Sequence, residues 1–288
     1  MTIRTGSGVR EGTMGDRPQA PANWRDILRV AVTVPGTVSR AYTSFHGYSL
    51  GNQMLALMQC AERGLQPGPI ATYPAWRERG RQVRRGERAI ALFMPVTGKR
   101  PVTRRDPQGN EVEEEATYTR FILRSNWFVL GQTDGADVAP EPVRGWDRAA
   151  ALASLGISEV PFDSMNGNVQ GFARRGRRVS VSPVAAMPHK TLFHEMAHAL
   201  LHDADSSDSE ETPYSLGEVE AESVALLCCE SLGLPGAEFS RGYIQNWGGF
   251  REIPEKSCQR IFKAATQILA AGGESCTSPT PSASASAA

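Results

Sequence analysis

The run Thr191–His202, TLFHEMAHALLH, constrains this chain more than any other segment. Leu192, Phe193, Met196, Ala197, Ala199, Leu200 and Leu201 lie on nearly every side of a helix, so that helix must be buried on most of its surface. Within it stand His194, Glu195 and His198. Buried polar groups are costly unless something compensates them. The i, i+4 spacing puts both imidazoles on one face, about 6 Å apart along the axis, where both can reach one metal ion. Glu195 then lies beside that ion, placed to take a proton from water as a general base. Three protein ligands and a water make the usual catalytic zinc site, so a third ligand must come from elsewhere in the chain.

The segment GEVEAESVALLCCESLGL is the best source of that ligand, being an apolar helix with acids at its start. Glu218, Glu220 and Glu222 compete. Glu218 and Glu222 are four residues apart and share a face, whereas Glu220 points elsewhere, toward solvent on this reading. The pattern resembles the ExxxD/E helix of gluzincin-type peptidases. That resemblance assigns Glu218 as metal ligand and Glu222 as the carboxylate that holds the free nitrogen of a ligating histidine. His202 reads as a helix C-terminal histidine and His189 as a loop residue. Tyr214 and Tyr243 are the candidates for stabilising an oxyanion. The strand expected at Arg177–Val181, just before the metal helix, is by family analogy an edge on which an extended peptide could pair.

The chain has 288 residues, enough for about two domains. Its zero formal net charge hides an asymmetry: 20 basic against 14 acidic residues up to position 145, and 11 against 17 beyond it. The five cysteines are too few and too irregular for a disulfide framework. No apolar stretch reaches the length of a membrane span, and the N-terminus lacks the apolar core of a signal peptide. These features lead to the expectation of a reduced, cytoplasmic protein. Residues 1–21 and 272–288 read as disordered and low-complexity tails. Between them, helices are expected near 23–34, 49–63, 147–155, 189–202, 216–232 and 254–270. Strands are expected at 70–73, 89–96, 117–130, 169–173 and 177–181, with a charged hairpin at 97–116 and a linker at 133–143.

From Trp76 to Arg105 the chain holds ten basic residues and two acids, interleaved with aromatics. Cations that track phosphates and rings that stack on bases are what single-stranded nucleic acid requires. Trp76, Arg77, Arg81, Arg84, Arg85 and Arg88 are the candidate DNA contacts; a solvated charged face has the same composition. The acidic stretch Asp203–Glu211 could compete with DNA for these arginines.

Taken together, the runs YSLGNQMLALMQ, ATYPAWRERGRQVRRGERAIALFMPV and RFILRSNWFVLGQTDG resemble the ArdC-type antirestriction proteins of conjugative plasmids. The layout HKTLFHEMAHALLH plus GEVEAESVA is also similar to ImmA/IrrE-type peptidases. The resemblance implies an α+β fold with two domains. Residues 22–140 would form a single-stranded-DNA-binding domain and 141–271 a gluzincin-like zinc metallopeptidase domain. The expected assignments are His194, His198 and Glu218 on Zn2+, Glu195 as catalytic base, and single-stranded DNA as partner, with the peptide substrate unspecified. Two other readings stay open: a DNA-binding or decoy protein with a purely structural zinc site, and a regulatory peptidase that cleaves one repressor.

Overall fold

The computed structural model describes residues 23–45, 47–105, 111–139, 145–203, 213–246 and 253–273. The expected N-terminal tail, nearly all of the C-terminal tail, residues 204–211 of the acidic stretch and the domain boundary at 140/141 lie outside them. Three helices open the fold: α1 (Trp24–Thr33), α2 (Thr37–Ser44) and α3 (Leu50–Arg63). Then come β1 (Ile70–Thr72), α4 (Tyr73–Glu78), β2 (Arg81–Val83), the long strands β3 (Ile90–Arg105) and β4 (Glu111–Val129), and β5 (Thr133–Gly135). The second half runs α5 (Arg148–Leu155), β6 (Ser158–Glu159), β7 (Gly171–Arg174), β8 (Arg178–Val181), α6 (Pro188–Leu201), α7 (Tyr214–Leu232), α8 (Ala237–Asn246) and α9 (Glu255–Gly272). Helices and sheets are thus mixed, and no described helix is long and apolar enough to cross a membrane.

Strand order is β1-β4-β3, antiparallel throughout, with a separate β2-β5 pair and a third sheet β6-β8-β7. The charged hairpin expected at 97–116 continues the strands on either side of it. β3 and β4 pair continuously from Ala91↔Ser125 to Arg105↔Glu111. Polar, β-branched residues such as Thr97, Thr103, Thr117 and Thr119 tolerate such a half-solvated ribbon. The segment expected as a linker begins as β5, whose Thr133, Asp134 and Gly135 pair with Val83, Gln82 and Arg81. β3 is an edge strand, and α3 covers its free backbone. Asn52 and Gln59 each exchange two hydrogen bonds with it, at Phe93 and Ala91, between 2.8 and 3.0 Å. An amide side chain carries both a donor and an acceptor, so it can stand in for a neighbouring strand.

One contiguous apolar core takes side chains from both halves, including Ile27, Leu28 and Met54 with Leu226, Phe262 and Ile268. The N-termini of the opening helices are satisfied from the far half of the chain. Glu255 accepts from the backbone N–H of Trp24 (2.7 Å) and Arg25 (3.2 Å). Glu230 accepts from Val38 N (3.1 Å), and the Thr266 hydroxyl accepts from Leu50 N (3.1 Å). A helix start leaves four N–H groups without intrahelical partners, so carboxylates there supply both hydrogen bonds and favourable charge. Buried Arg241 completes this join by donating to Glu230 and to Val32 O at the end of α1.

Candidate metal centre

α6 and α7 build the site. Pro188 starts α6, where its missing N–H costs nothing. Thr191, Leu192, Phe193, Met196 and Ala197 bury the helix and leave the His194 and His198 edges partly open. The two rings stand with centroids 4.7 Å apart and their Nε2 atoms 3.0 Å apart. Glu218, from the first turns of α7, brings Oε2 to 3.5 Å from His194 Nε2 and Oε1 to 3.4 Å from His198 Nε2. These three residues form a group in which one donor atom from each lies within 4.8 Å of the others. Donors each about 2.1 Å from one tetrahedral ion lie roughly 3.4 Å apart, so the spacing fits a small divalent cation.

Glu195, buried on α6, shares this corner. Burial pushes its carboxyl above the usual range, against the pull of His194 and His198. The backbone of β7 closes over it. A Cβ placed on Gly171 would lie 3.0 Å from Glu195 Oε1 and 2.6 Å from Thr191 Cγ2. Glu222 stands 3.3 Å from Nδ1 of His194 and takes a 2.6 Å bond from Lys190 Nζ. Burial alone would raise the Glu222 carboxyl, but His194 and Lys190 hold it down to about 2. Burial would likewise lower His194, yet its bonds to Glu218 and Glu222 lift it to about 9. His194 and His198 keep Glu218 well below the usual carboxylate range.

His198 has an outer partner that the sequence did not reveal. Its Nδ1 lies 3.0 Å from Nδ1 of His202, whose Nε2 lies 2.7 Å from Oε2 of Glu220. Glu220 is fully buried rather than turned to solvent, and Arg260 from α9 approaches its other oxygen at 3.7 Å. If Nε2 of His198 faces the ion, its Nδ1–H donates to His202, and His202 donates onward to Glu220. The available signal was the unbroken row His194, His198, His202 at steps of four. α7 is buried almost all round, so an acid within it has no solvent side to choose. His189, in the first turn of α6, is exposed.

Tyr214 is largely exposed, with the pKa of its hydroxyl raised by the charge of Glu218; burial raises that of Tyr243, aided by Glu218 and Glu222. The expected peptide-pairing edge shifts by one strand. β8 is interior, paired with both β6 and β7, so the edge beside Glu195 is β7.

The front-half candidates do not gather into one groove. Trp76 is fully buried between Ala71 and Val83, its indole N–H donating to Phe128 O at 2.8 Å, and has no face for a base. Arg81 is spent on β5, donating to the Thr133 hydroxyl (2.7 Å), Thr133 O (2.9 Å) and Gly135 O (3.0 Å). Arg84 pairs with Glu87 (2.8 Å) and Asp134 (3.3 Å). Arg77, Arg85 and Arg88 are exposed. Asp203, the one described residue of the acidic stretch, accepts from the backbone N–H of Arg177 at 2.9 Å. Four cysteines are described, all buried free thiols.

No curated protein matches the chain. Among solved structures, it is similar to the antirestriction protein ArdC of plasmid R388, in a metal-free crystal structure (23% identity, 86% of this chain and 94% of that one, TM-score 0.47). A Mn(II)-bound structure of the same protein matches at 22% identity, over 86% and 95% of the two chains, with a TM-score of 0.46. Residues 23–128 match the family model described as the N-terminal domain of anti-restriction factor ArdC. That likeness to the family model thus falls in the front half of the chain.

Proposed function

We propose that this is an antirestriction-type protein that binds single-stranded DNA through its front half and hydrolyses peptide bonds at the His194–His198–Glu218 centre. The observation that carries the hydrolytic part is the convergence of those three donor sets with buried Glu195 at one corner. Two histidines and a glutamate with space for water form the usual catalytic zinc set, and Zn2+ is the ion proposed here. When bound, the ion would supply Lewis acidity toward a carbonyl and a water. The chain supplies the rest. Glu195, its carboxyl raised by burial, takes a proton from water and returns it to the leaving amine. Glu222 and Lys190 hold His194, and His202 and Glu220 hold His198. Tyr214, whose hydroxyl feels both Glu218 and Glu195, is the preferred oxyanion candidate over Tyr243. A purely structural site has no use for a buried general base. DNA binding is supported by the basic front half and the ArdC N-terminal match.

The test joins metal analysis to proteolysis. Wild type and Glu195→Gln should each hold about one zinc per chain, and only wild type should release new peptides from a bacterial proteome. Equal cleavage by both proteins, or a wild type that binds no metal, would overturn the reading.

A further inference from the structure

β3 and β4 leave the three-stranded sheet as a ribbon whose pairing runs without a register shift from Ala91↔Ser125 to Arg105↔Glu111. Side chains alternate between the faces of such a ribbon, so its register sorts them. Pairs Met94↔Ile122, Val96↔Arg120, Gly98↔Tyr118 and Arg100↔Ala116 share one face with Arg124. Pairs Thr97↔Thr119, Lys99↔Thr117, Pro101↔Glu115 and Thr103↔Glu113 share the other. The charges separate in part, since Glu114, opposite Val102, falls in the register of the first face and Lys99 in that of the second. Arg100, Arg120 and Arg124, all exposed, stand on the first face and pair with no described acid. Glu113 and Glu115 stand on the second, where Glu115 binds Lys99 at 2.9 Å.

The arginine face also carries exposed apolar surface along its middle, with Met94 40% and Tyr118 39% exposed. Opposite Tyr118 is Gly98, where a Cβ would lie 2.7 Å from the ring's Cζ. Without one, the ring lies across the neighbouring strand as a platform.

We propose that this face, and not the surface around Trp76, is where a single DNA strand docks. The inference rests on the single-stranded-DNA reading of the front half given above. The chemistry of the face suits that occupant: three cations can follow the phosphates while Tyr118, Met94 and Ile122 take up unstacked bases. A duplex keeps its base faces stacked inside and offers this apolar strip no equivalent partner.

The experiment measures full-length protein binding a fluorescent 20-nucleotide oligothymidylate by anisotropy at several salt concentrations. Arg120→Glu/Arg124→Glu should weaken binding at least tenfold and flatten the salt dependence by about 0.7 logarithmic units for each phosphate that is no longer neutralised. Tyr118→Ala should weaken it about tenfold with the salt slope unchanged. Arg77→Glu/Arg85→Glu should bind within about twofold of wild type. Unchanged thermal unfolding of these surface variants would show that the fold is intact. Normal binding by the Arg120/Arg124 variant, or a defect confined to the Arg77/Arg85 variant, overturns the surface while leaving the DNA reading intact. Tighter binding of the matching duplex, abolished in the Arg120/Arg124 variant, overturns the choice of a single strand. Wild type that binds no oligonucleotide removes the DNA reading itself, and the surface with it.

Discussion

Replacing Glu220 with alanine tests the outer support of the metal centre at the residue whose sequence position suggested solvent. Glu220 accepts from His202 at 2.7 Å, and His202 in turn meets His198 at 3.0 Å. Losing such an outer partner costs about 10- to 100-fold in metal affinity, equivalent to about 1.4–2.7 kcal/mol. Alanine also leaves a buried donor on His202 unmatched, at about 1–3 kcal/mol of stability. Arg260 softens that penalty, because it also donates to Leu201 O and sits 3.7 Å from Glu220 rather than in a close pair. At about 2–4 °C per kcal/mol for a chain of this size, the melting temperature should fall by roughly 2–12 °C. Glu220→Gln keeps the volume and an acceptor oxygen, and should recover most of the stability and part of the affinity. The assay is competition for zinc against a chromophoric chelator, run beside thermal unfolding. Glu218→Ala serves as the control that removes a ligand and should abolish tight binding. An alanine variant that competes for zinc as well as wild type would refute the relay, whatever happens to its melting temperature.

Three further substitutions test the architecture. Glu230→Ala should cost about 3–5 kcal/mol, because it strands buried Arg241 and the Val38 N–H together; equilibrium denaturation checks this, and a cost below about 1 kcal/mol would count against the join. Gly171→Ala forces a methyl to within 3.0 Å of Glu195 Oε1 and 2.9 Å of Ser180 O. It should cost about 1–3 kcal/mol and lower proteolysis while zinc content stays near one per chain. Trp76→Ala should behave as a core mutation, losing about 3–5 kcal/mol; a variant of wild-type stability with a selective DNA defect would contradict its burial.

Much of the site was legible because an α-helix fixes angular phase. His194 and His198, four residues apart, must share a face, and so must Glu218 and Glu222; the structure brings these four together. Glu220 was misread by the same rule applied too simply. Half a turn from Glu218 means solvent only on a helix with a solvent side, and α7 has none. Trp76 was misread because arginine-rich flanks say nothing about where an indole points. Here the indole N–H closes a backbone carbonyl inside a small core.

The sequence by itself determined the local elements: the metal helix and its facing imidazoles, the caps that lie within three residues such as Asn23 on α1 and Asp147 on α5, and the bias of basic charge toward the front. Only the tertiary structure decided what those elements meet. Helices α1, α2 and α3 are capped by Glu255, Glu230 and Thr266, residues 231, 192 and 216 positions away in the chain, and they share one core with α7 and α9. Pairing also gathered Arg100, Arg120 and Arg124, scattered over 25 positions of a charged stretch, onto one face of a ribbon. The reason is one of range. Periodicity records a residue's direction relative to its own axis, whereas its partner depends on how separate axes pack, which no short segment encodes.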